Sequence, residues 1–500
     1  MPQKNQHKPL PPLEDIAPHI LTYWKMRKTD IEILRLLKAV HIDQNLHGIG
    51  MTSYKAIRKR LGLLSTRQQS HTLETIYDAM ITLRKRFPKA GAHDMKSLLF
   101  HQMGMSVPRQ LIVVYFRVYE PKLIQERKAG RLKRRRFWAA GVNDILAVDQ
   151  HDKWKRFGLA LHTGIDPFPG RIHWIKVWWT NNNPKLILSY YLETAEKLQC
   201  IPLVSQSDPG SENYGIANAH TALRHLHDPS LSGTIQHRWM RQKKNVKPEI
   251  TWSQMRRRFT PGFENLLEIG VTNDWYDTNR PLDVLVFRWL FIPFIQTELD
   301  AWADVVNNSR KRADRNKILP HGVPNDIYFN PERFGCLDFE IKVEPGTIDH
   351  VRQLFAPPDD PVFQLVPPEF AKYASILYES MGSPSLNTEN IWEVYRELLA
   401  RFEQLDNAVD FIEECEIYLS MLEAQINNEE NLAPVGEDLL GGPENPATDG
   451  AYYMGGVNNG LGLGKERLDR MDANDDEFEV VEVDFTEDEQ SDDSGEADEW

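Results

Sequence analysis

Ile145-Leu146-Ala147-Val148-Asp149 is a short apolar run that delivers an acid, and Ile201-Pro202-Leu203-Val204-Ser205-Gln206-Ser207-Asp208 repeats the arrangement downstream. Between them, Gly158 to Gly164 and Arg171 to Trp179 read as strands around the turn Asp166-Pro167-Phe168-Pro169-Gly170. Pro184 to Leu198 has the period of an amphipathic helix. A three-stranded meander, a crossover helix and a fourth strand make an α/β plan. Its two acids stand at the carboxyl ends of strands, where open α/β sheets bind ligands. Either acid alone would read as a turn former, since 72 Asp and Glu fill many such places. Paired, with the first and fourth strands as neighbours, they face each other across a gap that a divalent cation bridges. Mg²⁺ takes one or two protein carboxylates plus substrate phosphate. Two such ions, roughly 3.5 to 4 Å apart, stabilise the attacking and leaving oxygens of an in-line displacement. A third carboxylate arriving from a helix would complete the pair of sites.

Upstream the pattern is helical and basic. Ile33, Leu34, Leu37 and Val40 form a buried stripe over Ile31 to Val40, with Asp30 as the expected N-cap. The turn His47-Gly48-Ile49-Gly50 leads to Thr52 through Gly62, a second helix whose basic residues include Lys55, Arg58, Lys59 and Arg60. Helix, short turn and basic helix is the helix-turn-helix plan, whose second helix enters a major groove. His71 to Phe87, His93 to Met103 and a segment from Ser106-Val107-Pro108-Arg109 toward Tyr119 repeat it more loosely. Tandem DNA-binding modules are therefore expected, with Arg109 as a further contact; plain helical scaffolding is the competing reading. Arg131-Leu132-Lys133-Arg134-Arg135-Arg136 suits phosphate binding, nuclear import, or both.

Charge agrees with that division. The net charge is -13, yet residues 471–500 hold 15 Asp or Glu and no Lys or Arg. Without them, 57 acids oppose 59 Lys and Arg, a balance of +2. Residues 1–140 carry 27 Lys or Arg against 10 acids, the footprint of a nucleic-acid-binding region. Cys200, Cys336 and Cys415 lie far apart with no CxxC pair, so neither a disulfide framework nor a zinc knuckle is read from them, which fits a reducing compartment. Val284 to Ile295, the most apolar stretch, is interrupted by Arg288 and Pro293 and is shorter than the roughly 20 residues of a bilayer span. No membrane partner is expected. The proline-rich start lacks the apolar segment of a secretory signal.

Asp149 to about Glu340 resembles the integrase core of transposon-derived proteins in the retroviral integrase superfamily. The resemblance rests on Val148-Asp149-Gln150-His151-Asp152-Lys153, on Ser207-Asp208-Pro209-Gly210-Ser211-Glu212-Asn213 and on Asn245-Val246-Lys247-Pro248-Glu249-Ile250-Thr251-Trp252-Ser253. It extends through Val286-Phe287-Arg288-Trp289, Glu298-Leu299-Asp300 and Gly322-Val323-Pro324-Asn325-Asp326. It implies a ribonuclease H-like fold with a mixed sheet flanked by helices, and an Asp-Asp-Glu catalytic set that falls on Asp149, Asp208 and Glu249. It further implies two Mg²⁺ or Mn²⁺ ions, DNA nicking and strand transfer, and a homo-oligomer assembled on DNA. Proline is tolerated in a first helical turn, so Pro248-Glu249 can open the helix of the third acid; Glu264 and Glu268 are its alternatives. Lys243, Lys244 and Lys247 would then lie near the scissile phosphate, and Arg256 and Arg257, with Arg258, would grip backbone phosphates or form a solvated helix face. No His-His-Cys-Cys zinc module precedes the core, so target recognition falls to the helical modules.

The expected order is a disordered start (1–15), a helix-turn-helix-like module (16–65) and a second helical DNA-binding module (66–128). A basic linker (129–140), the catalytic core (141–345), a helical region (346–425) and a disordered acidic tail (426–500) follow. The tail suits a basic protein partner, and a nuclear location is expected. Two rivals to the enzyme remain: a host-captured integrase-like factor that binds DNA or chromatin without catalysis, and a ribonuclease H-type nuclease, which leaves the helical modules unexplained.

Overall fold

A computed structural model describes residues 8–120, 139–240, 245–311, 319–405, 408–428 and 437–438. These fall into two compact units, one within residues 1–136 and the other within 137–469. The basic run Arg131–Arg136, Lys243, Lys244 and the acidic stretch 471–500 lie outside the described residues. No described helix is long and apolar enough to cross a membrane.

The amino-terminal unit holds two sets of three helices. In the first, α1 (Leu13–Lys25), α2 (Asp30–Leu36) and α3 (Met51–Arg60) pack in succession. Helix α1 begins inside the stretch expected to be disordered, because Ile16, Ile20 and Tyr23 recur at helical spacing and bury one face. The cap of α2 is Thr29, not Asp30: its hydroxyl accepts from the Glu32 N–H while Glu32 accepts from the Thr29 N–H. Asp30 is thereby free to accept two bonds from the Arg58 guanidinium, at 2.7 and 2.6 Å. The second set comprises α4 (Leu73–Arg86), α5 (Ala92–Met103) and α6 (Arg109–Tyr119). Gln69 links the sets, accepting from the Ser106 N–H and donating to the Gly104 carbonyl.

The second unit is built on a mixed five-stranded sheet of β1 (Ile145–His151), β2 (Ala160–Asp166), β3 (Arg171–Trp178), β4 (Val204–Ser207) and β5 (His237–Trp239). Its order is β3-β2-β1-β4-β5. The meander β1–β3 is antiparallel, and β4 and β5 add parallel to β1. The expected fourth strand is split at Pro202, which has no N–H to give a ladder. Cys200–Ile201 pairs with Ile341–Lys342, and only Val204–Ser207 joins the main sheet.

Leu146 and Val148 point into a core with α7 (Pro184–Leu198) and α8 (Tyr214–His227), to which Ile348 and Val351 contribute from beyond residue 345. The alternating residues Ala147 and Asp149 therefore face the opposite side, where α9 (Val246–Arg258) packs against β1. Helix α10 (Thr260–Thr272) continues from α9, and α11 (Pro281–Asn308) runs along the outer edge of β3. The tryptophans of β3 and its exit serve packing: Trp178 and Trp179 donate to the Val362 and Gln364 carbonyls. The helices after residue 345 belong to the same unit as the sheet, and the last runs through Asn428, past the expected start of the tail.

Candidate active site

Pairing of β1 with β2 runs on to His151, two residues past the expected end at Asp149. What stops earlier is the parallel pairing with β4, whose registered positions are Ile145–Ala147 with Val204–Gln206. Pro209 follows Asp208 and cannot extend that ladder. Carrying the register of Ala147 with Gln206 forward by two places Asp149 alongside Asp208 on one face of adjacent strands. Glu249 enters from the first turn of α9, where Pro248 costs no helical hydrogen bond.

Burial and neighbouring charge raise both aspartates. Burial pushes the Asp149 carboxyl up to about 7, with Asp208 and Glu249 adding repulsion and the Gln150 N–H opposing it. The Trp252 indole N–H also favours the charged form, from close by rather than through a well-aligned hydrogen bond. Asp208 is raised by burial and by Glu249, and its Oδ1 is buried without a hydrogen-bond partner. Lone pairs without protein donors, on oxygen-only ligands that repel, fit a hard divalent cation such as Mg²⁺ or Mn²⁺. Among the described residues, no three or more His, Cys, Asp or Glu side chains form a ready-made metal-binding group.

The alternative third acids are engaged elsewhere. Glu264 and Glu268 on α10 both pair with Arg156, at 2.7 and 3.1 Å. His151 stacks on Trp252 with centroids 5.0 Å apart, and burial pushes its imidazole down to about 4, so it is neutral at neutral pH. Asp152 accepts from Asn181 and Lys155. On α9, Lys247 is half-buried and Arg256 and Arg257 are exposed. In the amino-terminal unit Lys55, Lys59, Arg60 and Arg109 are exposed. Arg58 must be withdrawn as a DNA contact, because its side chain is 6% exposed and bound to Asp30 and Gln68 over the Trp24 ring.

Three side chains that support the site carried no recognised role in the sequence. Asn245, fully buried, donates to the Val148 carbonyl at 2.8 Å and accepts from Gln206 at 3.3 Å. His237 bridges Ser205 and Ser207 at 2.9 and 3.0 Å. Trp252 braces His151. Asn245 and Trp252 lie within the motif around Glu249, the one signal that pointed to them.

Residues 137–331 match the family model of the integrase core domain. This segment is thus an integrase core of the retroviral integrase superfamily. Comparison of the chain with curated proteins and with solved structures gives no match.

Proposed function

We propose that this protein cleaves and joins DNA strands, with Asp149, Asp208 and Glu249 as the ligands of two Mg²⁺ or Mn²⁺ ions. The observation that carries the reading is the adjacency of Asp149 and Asp208 in the register of β1 and β4, with Glu249 in the first turn of α9, within the segment that matches the integrase core. An antiparallel meander extended by two parallel strands, with helices packed against it, supports a ribonuclease H-like core. When bound, the cations supply charge stabilisation to the attacking and leaving oxygens.

In the first step a water oxygen attacks phosphorus, the P–O3′ bond breaks, and the 3′ oxygen leaves with a proton. In the second the freed 3′ hydroxyl attacks a target phosphate, and a target P–O3′ bond breaks in exchange. Only the nucleophile changes, so one acidic set serves both steps. Arg256 and Arg257 hold backbone phosphates beside the site, and Lys55, Lys59, Arg60 and Arg109 hold duplex DNA. Assembly as a homo-oligomer on DNA, a nuclear location and a basic protein partner for residues 471–500 belong to the same reading.

The test is nicking of supercoiled plasmid with Mg²⁺ or Mn²⁺ by the wild type and by Asp208→Asn. Wild-type nicking that the variant lacks, with equal DNA binding by both, supports the reading; equal nicking by the variant removes it. One observation favours a second reading, a captured DNA-binding factor without catalysis: residues 1–140 carry 27 Lys or Arg against 10 acids. Equal DNA binding by both proteins with no metal-dependent cleavage by either would select it.

A further inference from the structure

Asn245 occupies the position just before α9, where an asparagine ordinarily caps the helix with its side chain. Here the side chain makes no capping bond. It turns inward, fully buried, and its amide spans the two strands that carry the aspartates. Nδ2 donates to the carbonyl of Val148, the residue before Asp149, at 2.8 Å. Oδ1 accepts from Nε2 of Gln206, two residues before Asp208, at 3.3 Å. Glu249 follows four residues later, about one helical turn, so it rises from the side of α9 that Asn245 fastens to the sheet.

A second contact fixes the rotation of the helix. Trp252, 4% exposed, stacks on His151, so α9 is held to β1 on both sides of Asp149. From these contacts we infer that Asn245 is a positioning residue, joining β1, β4 and α9 so that Glu249 meets Asp149 and Asp208. The inference rests on the proposed acid site and adds to it the device that assembles it. Asn245 touches no reacting group and acts through the acids.

The test uses the full chain. Mn²⁺ binding is followed by calorimetry without DNA, and plasmid nicking is resolved into kcat and KM, for the wild type, Asn245→Leu, Gln206→Met and Asp208→Asn. Leucine fills nearly the same volume without hydrogen bonds, and the folded state of each variant is checked by thermal unfolding. Outer-shell groups that orient metal ligands typically change affinity or activity by 10 to 100-fold. Asn245→Leu is therefore expected to weaken Mn²⁺ binding and lower kcat by roughly tenfold or more while KM for DNA stays unchanged. Gln206→Met, which removes only the longer bond, should shift both in the same direction by less. If Asn245→Leu does not fold, Gln206→Met decides. Wild-type Mn²⁺ affinity and kcat in the folded variant that decides overturn the inference. Should Asp208→Asn bind Mn²⁺ like the wild type, the acid-site reading itself is lost. If Asp208→Asn loses Mn²⁺ and the deciding variant keeps it, only the role of Asn245 falls.

Discussion

Ser207 and His237 share a buried hydrogen bond of 3.0 Å from Oγ to Nε2, directly beside Asp208. The Ser207 hydroxyl donates its one proton to the Asp208 carbonyl at 2.9 Å, so it accepts from His237. Nε2 therefore carries the imidazole proton, and Nδ1 accepts from Ser205. Burial pushes His237 down to about 3, so this neutral tautomer persists across ordinary pH. Replacing His237 with leucine leaves the Ser205 hydroxyl without its acceptor, while Ser207 keeps its bond to the Asp208 carbonyl. Since an unsatisfied buried group costs about 1–3 kcal/mol, the variant should lose roughly that much in urea unfolding at pH 8. The loss should be larger at pH 8 than at pH 5, because below about 6.5 the unfolded histidine binds a proton that the folded one does not; an equal loss at both would remove the neutral-histidine account.

Asp149→Asn should raise stability while it abolishes cleavage. The wild-type carboxylate is driven toward its neutral form by burial and by Asp208 and Glu249, a repulsion that folding must overcome. The amide keeps the shape without the charge. In the absence of divalent cations the variant is expected to melt roughly 2–4 °C higher for each kcal/mol relieved. Added Mn²⁺ should stabilise the wild type and leave the variant's melting point where it was. A variant that melts lower than the wild type in chelator would contradict the account.

A different acid sets a pH dependence far from the site. Asp166 is completely buried, accepts from the Asn143 and Phe168 N–H groups, and is pushed up to about 7 by burial. A raised folded-state value means that the stability it contributes is fully present below about 3.8 and is lost as pH rises through 7. Asp166→Asn resembles the protonated form and has no such loss. Relative to the variant, the wild type should weaken by up to about 1.4 kcal/mol per pH unit between pH 4 and 7, then level off. Urea midpoints at four pH values read this directly, and a constant difference would refute the assignment.

The unequal legibility of the chain has physical causes. Pro184–Leu198 forms the helix that its amphipathic period marks, because apolar spacing is a local property of the chain. The strand from Ile201 was misjudged because one apolar run serves two ladders, Cys200–Ile201 with Ile341–Lys342 and Val204–Ser207 in the main sheet. No local pattern reports a partner 140 residues away. Arg58 misled for a similar reason: it belongs to a basic run, and only the fold brings Asp30 against it. The placement of Asp149 and Asp208 on neighbouring strands was legible in the apolar runs before them, whereas Asn245 and His237 bond to backbone and hydroxyl partners on strands distant in sequence.

Arg58 and Lys59 should separate structure from binding. Arg58 makes a two-bond ion pair with Asp30, 6% and 20% exposed, while Lys59 is exposed on the next position of α3. Arg58→Ala leaves Asp30 without its partner and should destabilise the amino-terminal unit by about 3 kcal/mol, near the lower limit for breaking a buried pair. Lys59→Ala should change stability by no more than about 0.5 kcal/mol. If Lys59 contacts phosphate, its loss lowers the slope of log affinity against log salt by about 0.9. An unchanged salt slope in Lys59→Ala would remove that residue from the DNA surface.

The outer edge of β3 is closed by side chains in place of a strand. Asn307 accepts from the Ile172 N–H and donates to the Ile172 carbonyl, both at 2.8 Å. Gln296 does the same one helix segment earlier, accepting from Val177 and donating to Ile175, both at 3.0 Å. Helix α11 thereby satisfies an edge that would otherwise offer unpaired backbone to another chain. Asn307→Leu should uncover one such pair, costing roughly 2–4 kcal/mol of stability from two unsatisfied backbone groups. It should also promote self-association, seen as a rise in apparent mass with concentration in DNA-free sedimentation. Asn307→Asp restores only the acceptor, so its loss should be intermediate at neutral pH. A stable leucine variant whose mass matches the wild type at every concentration would show that this edge is protected by something other than the amide.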